Sequence, residues 1–322
     1  MAIDLLAIEP NKVSRDLSGY ITYIYGSGGV GKTTFGASCK KPLLLAFELG
    51  YKALPGVRAQ AIQTWGEVKQ VLRELKRPEV KEAYSTVVVD TVDIAAQLCE
   101  KYICNQLSIE NIGDGGWATN GWAKVKREWE QTWRAFTMEG YAVVFISHSK
   151  DKVFKRKDGT EYNQIGPACS NAYGEIIKNM VDIMGYISVE NGTRKLILRS
   201  NDDTVDCKSR FKMIEPEVTF TYDELVAALN RAIDKEAELT NNAYVTDESF
   251  KAPATVSYDF DALMAEFQDL VGIVMNKNQS NAVKLTSIVD KYLGKGKKVS
   301  DATPEQSELI YLIINDIKND LL

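Results

Sequence analysis

The chain has 322 residues, 45% hydrophobic and 26% charged, with 39 Lys and Arg against 44 Asp and Glu for a formal net charge of −5 at pH 7. This composition is that of a soluble globular protein long enough for one large domain and a small one, and the net charge argues against nucleic-acid affinity over the whole surface while leaving room for a local basic strip. A single histidine excludes a histidine-rich metal site. Five scattered cysteines without a C-x-x-C pair read as reduced cytosolic thiols. No apolar run approaches bilayer length, so no membrane partner is expected. The first six residues carry no basic n-region, which predicts no secretory signal and a cytoplasmic location.

Ile21 to Tyr25 reads as a short strand that enters Gly26-Ser27-Gly28-Gly29-Val30-Gly31-Lys32-Thr33-Thr34. These nine residues fit G-x-x-x-x-G-K-[ST], and each residue type has a task. The glycines let backbone N–H groups turn inward around a polyphosphate where a Cβ would clash. Lys32 supplies a point charge to the β- and γ-phosphates, and the Thr33 hydroxyl is placed to hold Mg²⁺. Thr33 to Cys39 reads as the following helix. ATP and Mg²⁺ are therefore the expected ligands, and no N-K-x-D motif points to guanine.

Pro42 to Phe47 is an apolar run of strand length that ends at Glu48. A short strand is expected near Val57 to Ile62, and Thr64-Trp65-Gly66-Glu67 reads as a capping box opening a helix to about Lys76. Ser85 to Asp90 is the next buried strand, followed by a helix from Val92 to Gln106 and a polar loop over 108–119. A helix from Asn120 to Met138 carries Trp122, Val125, Trp129, Trp133 and Phe136 on one face, a spacing that reads as core. Tyr141 to Ile146 is another buried strand, ending in Ser147-His148. After a long basic stretch come a helix over Asn171 to Asn179 and two strands, Ile183 to Glu190 and Arg194 to Arg199, joined by an Asn191-Gly192 turn.

Strands alternating with helices, then a hairpin, predict an α/β domain with a mostly parallel sheet over residues 1–240, closed by a helix from Tyr222 to Leu239. Residues 241–258 read as a linker. Three amphipathic patterns predict a small all-α C-terminal domain over 259–322.

Asp90 ends an apolar strand, from which a carboxylate can hold Mg²⁺ opposite Thr33. Glu48 stands where a carboxylate can accept a proton from the attacking water. His148, or Ser147, ends a strand expected beside the phosphate loop and can respond to loss of the γ-phosphate.

Tyr25-Gly26 entering the loop, strands ending in Glu48 and Asp90, and Phe145-Ile146-Ser147-His148 together resemble the RecA-like ATPase core over roughly residues 15 to 235. The nearest group is that of phage-encoded, single-domain RecA-like ATPases that act in single-strand annealing and recombination. The resemblance implies a catalytic glutamate at Glu48 and a sensor at His148. It also implies that Lys208-Ser209-Arg210, a K-x-R pair, completes the neighbouring subunit's site in a homo-oligomeric ring or filament. The loop after the sensor strand would contact single-stranded DNA. Here it contains Lys150, Lys152, Phe154, Lys155, Arg156 and Lys157 before Asp158-Gly159, which looks like a hairpin tip. Asp151, Asp158 and Glu161 dilute its charge.

Function would then be DNA-coupled ATP hydrolysis in the host cytoplasm, assisting annealing or recombination. The C-terminal helices would serve as a dock for a single-strand-binding protein, an oligomerisation element or a lid. The loop is also similar to that of the ParA/MinD group, but Ser27 stands where that group has its extra lysine. A nucleotide-dependent scaffold or signalling ATPase, with the basic stretch and the C-terminal helices as protein docks, is the alternative.

Overall fold

Apolar runs that do not alternate with polar residues need cover on both faces of a strand, so they gather in the middle of a sheet. The computed structural model describes all residues except 1–5, 7, 115, 201–202, 242–243, 250–257 and 279. In chain order come β1 (Val13–Ser14), β2 (Ile21–Gly26), α1 (Lys32–Ala37), β3 (Pro42–Ala46), β4 (Ala59–Ala61), α2 (Trp65–Glu74), α3 (Pro78–Ala83) and β5 (Thr86–Asp90). Then follow α4 (Val92–Leu107), the single turn α5 (Gly116–Thr119), α6 (Gly121–Met138), β6 (Ala142–Lys155), β7 (Glu161–Pro167) and α7 (Asn171–Met180). The hairpin β8 (Ile183–Glu190) and β9 (Thr193–Ile197), the short β10 (Lys208–Ser209) and β11 (Glu217–Thr219), α8 (Tyr222–Glu238) and β12 (Val245–Thr246) complete the first unit.

The sheet runs β4-β3-β5-β6-β2-β8-β9-β11. The strands from β4 to β8 are parallel, and β9 turns back antiparallel on β8. The expected α/β fold with a mostly parallel sheet is thus the observed one. Alternate residues of each central strand enter different cores. Tyr23, Tyr25, Val87, Val89 and Phe145 pack with Trp129 and Trp133 of α6. Ile24, Val88, Val144 and Ile146 pack with Phe35 of α1 and Leu225 and Leu229 of α8.

The Thr64–Glu67 capping box forms as expected. Trp65 at the start of that helix stacks on Trp129 at 5.5 Å, and Trp133 meets both edge-on at 5.7 and 5.4 Å. Trp122 does not join them. It is half exposed, and of the five residues on that face only Val125, Trp129, Trp133 and Phe136 are fully buried.

Two further expectations are corrected. The strand that ends in His148 does not give way to a loop. It continues as β6 through Lys155, paired antiparallel with β7 from Ser149↔Pro167 to Lys155↔Glu161. Backbone pairing, rather than burial, carries this polar arm. The segment read as a linker falls in part outside the described residues (242–243 and 250–257), but Val245–Thr246 forms β12, parallel to β1. Arg15 ties the same corner together with ion pairs to Asp234 and Asp247 at 2.7 and 3.1 Å.

The chain divides into two units, Met1–Pro253 and Ala254–Leu322. The second is all-helical: α9 (Phe260–Lys277), α10 (Asn281–Leu293) and α11 (Ser307–Leu321) close on a core of Leu270, Val274, Ile310, Ile313 and Ile317. No helix among the described residues is long and apolar enough to cross a membrane.

Trp129→Ala should destabilise the first unit by about 3–5 kcal/mol, as expected for deleting a fully buried indole. Trp122→Ala should change stability by no more than about 0.5 kcal/mol. Urea unfolding followed by circular dichroism checks both, and equal effects would refute the assignment of the core face.

Candidate active site

β2 ends at Gly26 and α1 begins at Lys32, so the intervening loop must turn sharply. Gly29 (φ 75) and Gly31 (φ 98) take the left-handed conformation that this turn requires, which a side chain would strain. Lys32 is buried beneath the loop, where its Nζ donates to the carbonyls of Gly26 and Ser27 at 2.8 and 2.7 Å. Burial pushes its pKa below the ordinary lysine value, while the carboxylates of Asp90 and Glu48 oppose that shift.

Thr33 Oγ1 donates to Asp90 Oδ2 at 2.6 Å. Asp90 is the last residue of β5 and is buried. Burial raises its pKa against the hydrogen bond from Thr33. A hydroxyl and a carboxylate side by side, with no sulfur or imidazole in the pair, form the hard oxygen donor set that suits Mg²⁺. These residues therefore fit the ion expected from the sequence.

Glu48 lies two residues beyond β3 and precedes a 3-10 turn, Leu49–Ala53, without capping it. Its Oε1 instead accepts from Thr91 Oγ1 at 3.2 Å and lies 3.3 Å from His148 Nε2. His148 is paired with Gly26 in the β2–β6 register. Its main-chain N–H donates to Asp93 Oδ2 at 2.9 Å, and the buried Ser147 hydroxyl donates to Asp93 Oδ1 at 2.7 Å. Asp93 stands in the first turn of α4. Burial raises its pKa, and the two donors from β6 act the other way.

Gly26 to Thr34, Glu48, Asp90 and His148 therefore meet at the C-terminal edge of the parallel strands. Thr91 and Asp93 join them, although sequence reasoning passed over both. The available signal was Thr91-Val92-Asp93 directly after Asp90, an acidic first turn that ordinarily reads as helix-dipole stabilisation. Here the carboxylate spans to the neighbouring strand instead.

Lys208 and Arg210 are not brought to this edge. β10 pairs with β8 at Met184 and Ile183, the start of that strand. Lys208 Nζ donates to Lys178 O at 2.6 Å, closing the end of α7. Arg210 Nε lies 3.3 Å from Asp182 Oδ1.

The candidate DNA residues lie on β6 and its turn. Strand alternation puts Lys150, Lys152 and Phe154 on one face and Lys155 on the other. Phe154 stacks on Tyr162 at 5.7 Å, and Arg156 covers the same ring at 4.7 Å while pairing with Asp203 at 3.3 Å. Lys157 is exposed at the turn. The six residues thus form no single surface.

A parallel α/β sheet carrying a phosphate loop, a hydroxyl–carboxylate pair and a glutamate at one edge defines a P-loop ATPase. The family profile described as an AAA domain matches residues 18–211. The chain belongs to that family within the P-loop ATPase superfamily, which implies nucleotide binding. It is also 32% identical to the SPbeta prophage-derived uncharacterized protein YorG of Bacillus subtilis (strain 168) over 340 aligned residues, covering 100% of this chain and 99% of the relative.

Lys32→Ala should weaken Mg·ATP binding by roughly 100-fold or more, since it removes a buried charged donor to the phosphates. Thr33→Val should leave an affinity that no longer responds to EDTA. Isothermal titration, with circular dichroism confirming the fold, checks both; wild-type affinity in Lys32→Ala would refute the loop assignment.

Proposed function

We propose that this chain is a RecA-like ATPase that hydrolyses ATP with Mg²⁺, binds single-stranded DNA and assists annealing or strand pairing in phage DNA metabolism, as a ring or filament in the host cytoplasm. One observation carries the reading most. The strand that holds His148 at the nucleotide edge and the strand that carries the basic residues are the same strand, β6.

Lys32 and the loop amides bind the phosphates, and Thr33 and Asp90 hold the metal. Bound Mg²⁺ neutralises charge that develops on the phosphate oxygens. Glu48 accepts the proton of the attacking water. Thr91 orients that carboxylate, and the His148 ring lies within hydrogen-bond distance of the same oxygen. A change of charge on Glu48 therefore alters a contact to His148, and through it the origin of the β6–β7 arm. Asp93 is a positioning residue, fixing the His148 backbone while the ring responds. Lys208 and Arg210 act on the neighbouring subunit's nucleotide.

A second reading, a nucleotide-dependent protein scaffold, is favoured by the engagement of Phe154 and Arg156 within the arm itself. The two diverge on DNA. In the first, single-stranded DNA stimulates steady-state ATPase activity, and alanine at Lys155, Arg156 and Lys157 removes the stimulation. That triple variant should also reduce the salt slope of DNA binding by roughly one unit per lost phosphate contact. Hydrolysis indifferent to DNA in both proteins would establish the scaffold reading instead. Arg210→Ala should keep ATP affinity and lose DNA-stimulated turnover; normal turnover would refute its role between subunits.

A further inference from the structure

The β8–β9 hairpin extends past the phosphate loop. Tyr186 of β8 pairs with Tyr25 of β2, and β8 continues to Glu190 beyond it. Arg194 stands opposite Val189 on the returning strand. From there its guanidinium reaches back over the loop. Nη1 lies 3.3 Å, and Cζ 3.9 Å, from the position that a Cβ on Gly31 would take. The backbone beneath it is fixed, since Phe220 N donates to Arg194 O at 3.0 Å and the Phe220 ring stacks on Phe35 of α1 at 5.1 Å.

Arg194 is exposed, and among the described residues its side chain has no hydrogen-bond or ion-pair partner. The nearby carboxylates are committed elsewhere. Glu190 and Glu217 both pair with Lys195, at 3.6 and 2.7 Å. Asp90 is held by Thr33, and Glu48 by Thr91 and His148. A planar, charged fork without a protein anion, set against the loop residue that precedes Lys32, has the chemistry that takes a phosphate oxygen pair.

We propose that Arg194 is a phosphate-binding residue of its own subunit's nucleotide site, its guanidinium donating to the triphosphate beside Lys32. This inference rests on the nucleotide reading of the loop. It also makes a distinction. Arg194 acts within the subunit and governs affinity, whereas the role proposed for Lys208 and Arg210 depends on assembly.

The test is displacement of a fluorescent ATP analogue by ATP and, separately, by inorganic tripolyphosphate, on wild type, Arg194→Ala and Arg194→Lys, with melting temperatures measured without nucleotide. Arg194→Ala should weaken both competitors by about tenfold or more, the loss expected for a charged hydrogen-bond donor. Arg194→Lys should recover part of the loss, because an ammonium keeps the charge without the fork. The melting temperature should not move. Unchanged affinities in Arg194→Ala would overturn the proposal, as would weakened ATP with unchanged tripolyphosphate, which would place the guanidinium on the base or ribose. Wild-type protein that binds neither competitor would overturn the nucleotide reading itself and Arg194 with it, an outcome recognisable because all three proteins would then behave alike.

Discussion

The parallel pairing of β2 with β6 is the contact on which the site depends. Parallel strands end on the same edge, and the register sets Gly26 beside His148, Ile146 beside Asp90, and Asp90 beside Ala46. With neighbouring strands about 4.8 Å apart, β2, which enters the phosphate loop, and β3, which leads to Glu48, stand three strands from each other. No single side chain bridges that span. The gap is closed in steps: Thr33 reaches from α1 to Asp90, Thr91 from the end of β5 to Glu48, and Asp93 from α4 to β6. Each bond starts from a rigid element. The site is therefore a property of the sheet register rather than of any one loop.

The same register explains why β6 suits a coupling role in the proposed function. A flexible loop after His148 would dissipate a small displacement in its own dihedral angles. An arm paired continuously from Ser149 to Lys155 would move instead as a unit. The base of that arm is anchored to the strand that feeds the phosphate loop, since the single Tyr25 hydroxyl proton lies between the carbonyl oxygens of Asp206 and Ile165, at 2.6 and 3.0 Å from Oη. The nucleotide edge and the arm therefore share two points of attachment, one through His148 and one through Tyr25.

What was legible in the sequence follows the kind of constraint involved. The phosphate loop was readable because a polyphosphate cradle needs glycines and a lysine at fixed spacing, and the central strands because burial on both faces demands unbroken apolar runs. Asp90 was readable only as the end of such a run. Asp158-Gly159 was readable as a hairpin tip, but the extent of β6 was not, since Lys150 to Lys155 shows no apolar alternation and owes its strand to pairing with β7, from Lys150↔Gly166 to Lys155↔Glu161. Asp93 and Arg194 were missed for a related reason: their roles arise across strands, from a helix turn beside β6 and from a hairpin overshooting the loop. Trp122 shows the converse error. Helical spacing put it on the core face, but the buried face of α6 takes in its neighbour Gly121, packed close to Ile112, and leaves Trp122 half exposed.

The K-x-R pair was legible as a motif, while its location depended on the antiparallel register of β10 on β8. That location constrains its use. From Met184, opposite Lys208, to Val189, opposite Arg194, is five residues of strand, about 16 Å at the usual rise. Lys208 and Arg210 therefore stand at the opposite end of β8 from the tip that carries Arg194. In the proposed assembly they serve a neighbour through a heterologous, head-to-tail contact, the kind that closes into rings or extends into filaments. Arg210, paired with Asp182 and donating to Asn179 O at 3.4 Å, has a side chain that is 56% exposed, and Asp182 is also bonded to Ile21 N at 2.8 Å. Lys208, bonded to the carbonyls that end α7, has less freedom. The two halves of the motif are therefore held unequally: Arg210 is exposed, while Lys208 is half-buried and tied to the end of α7.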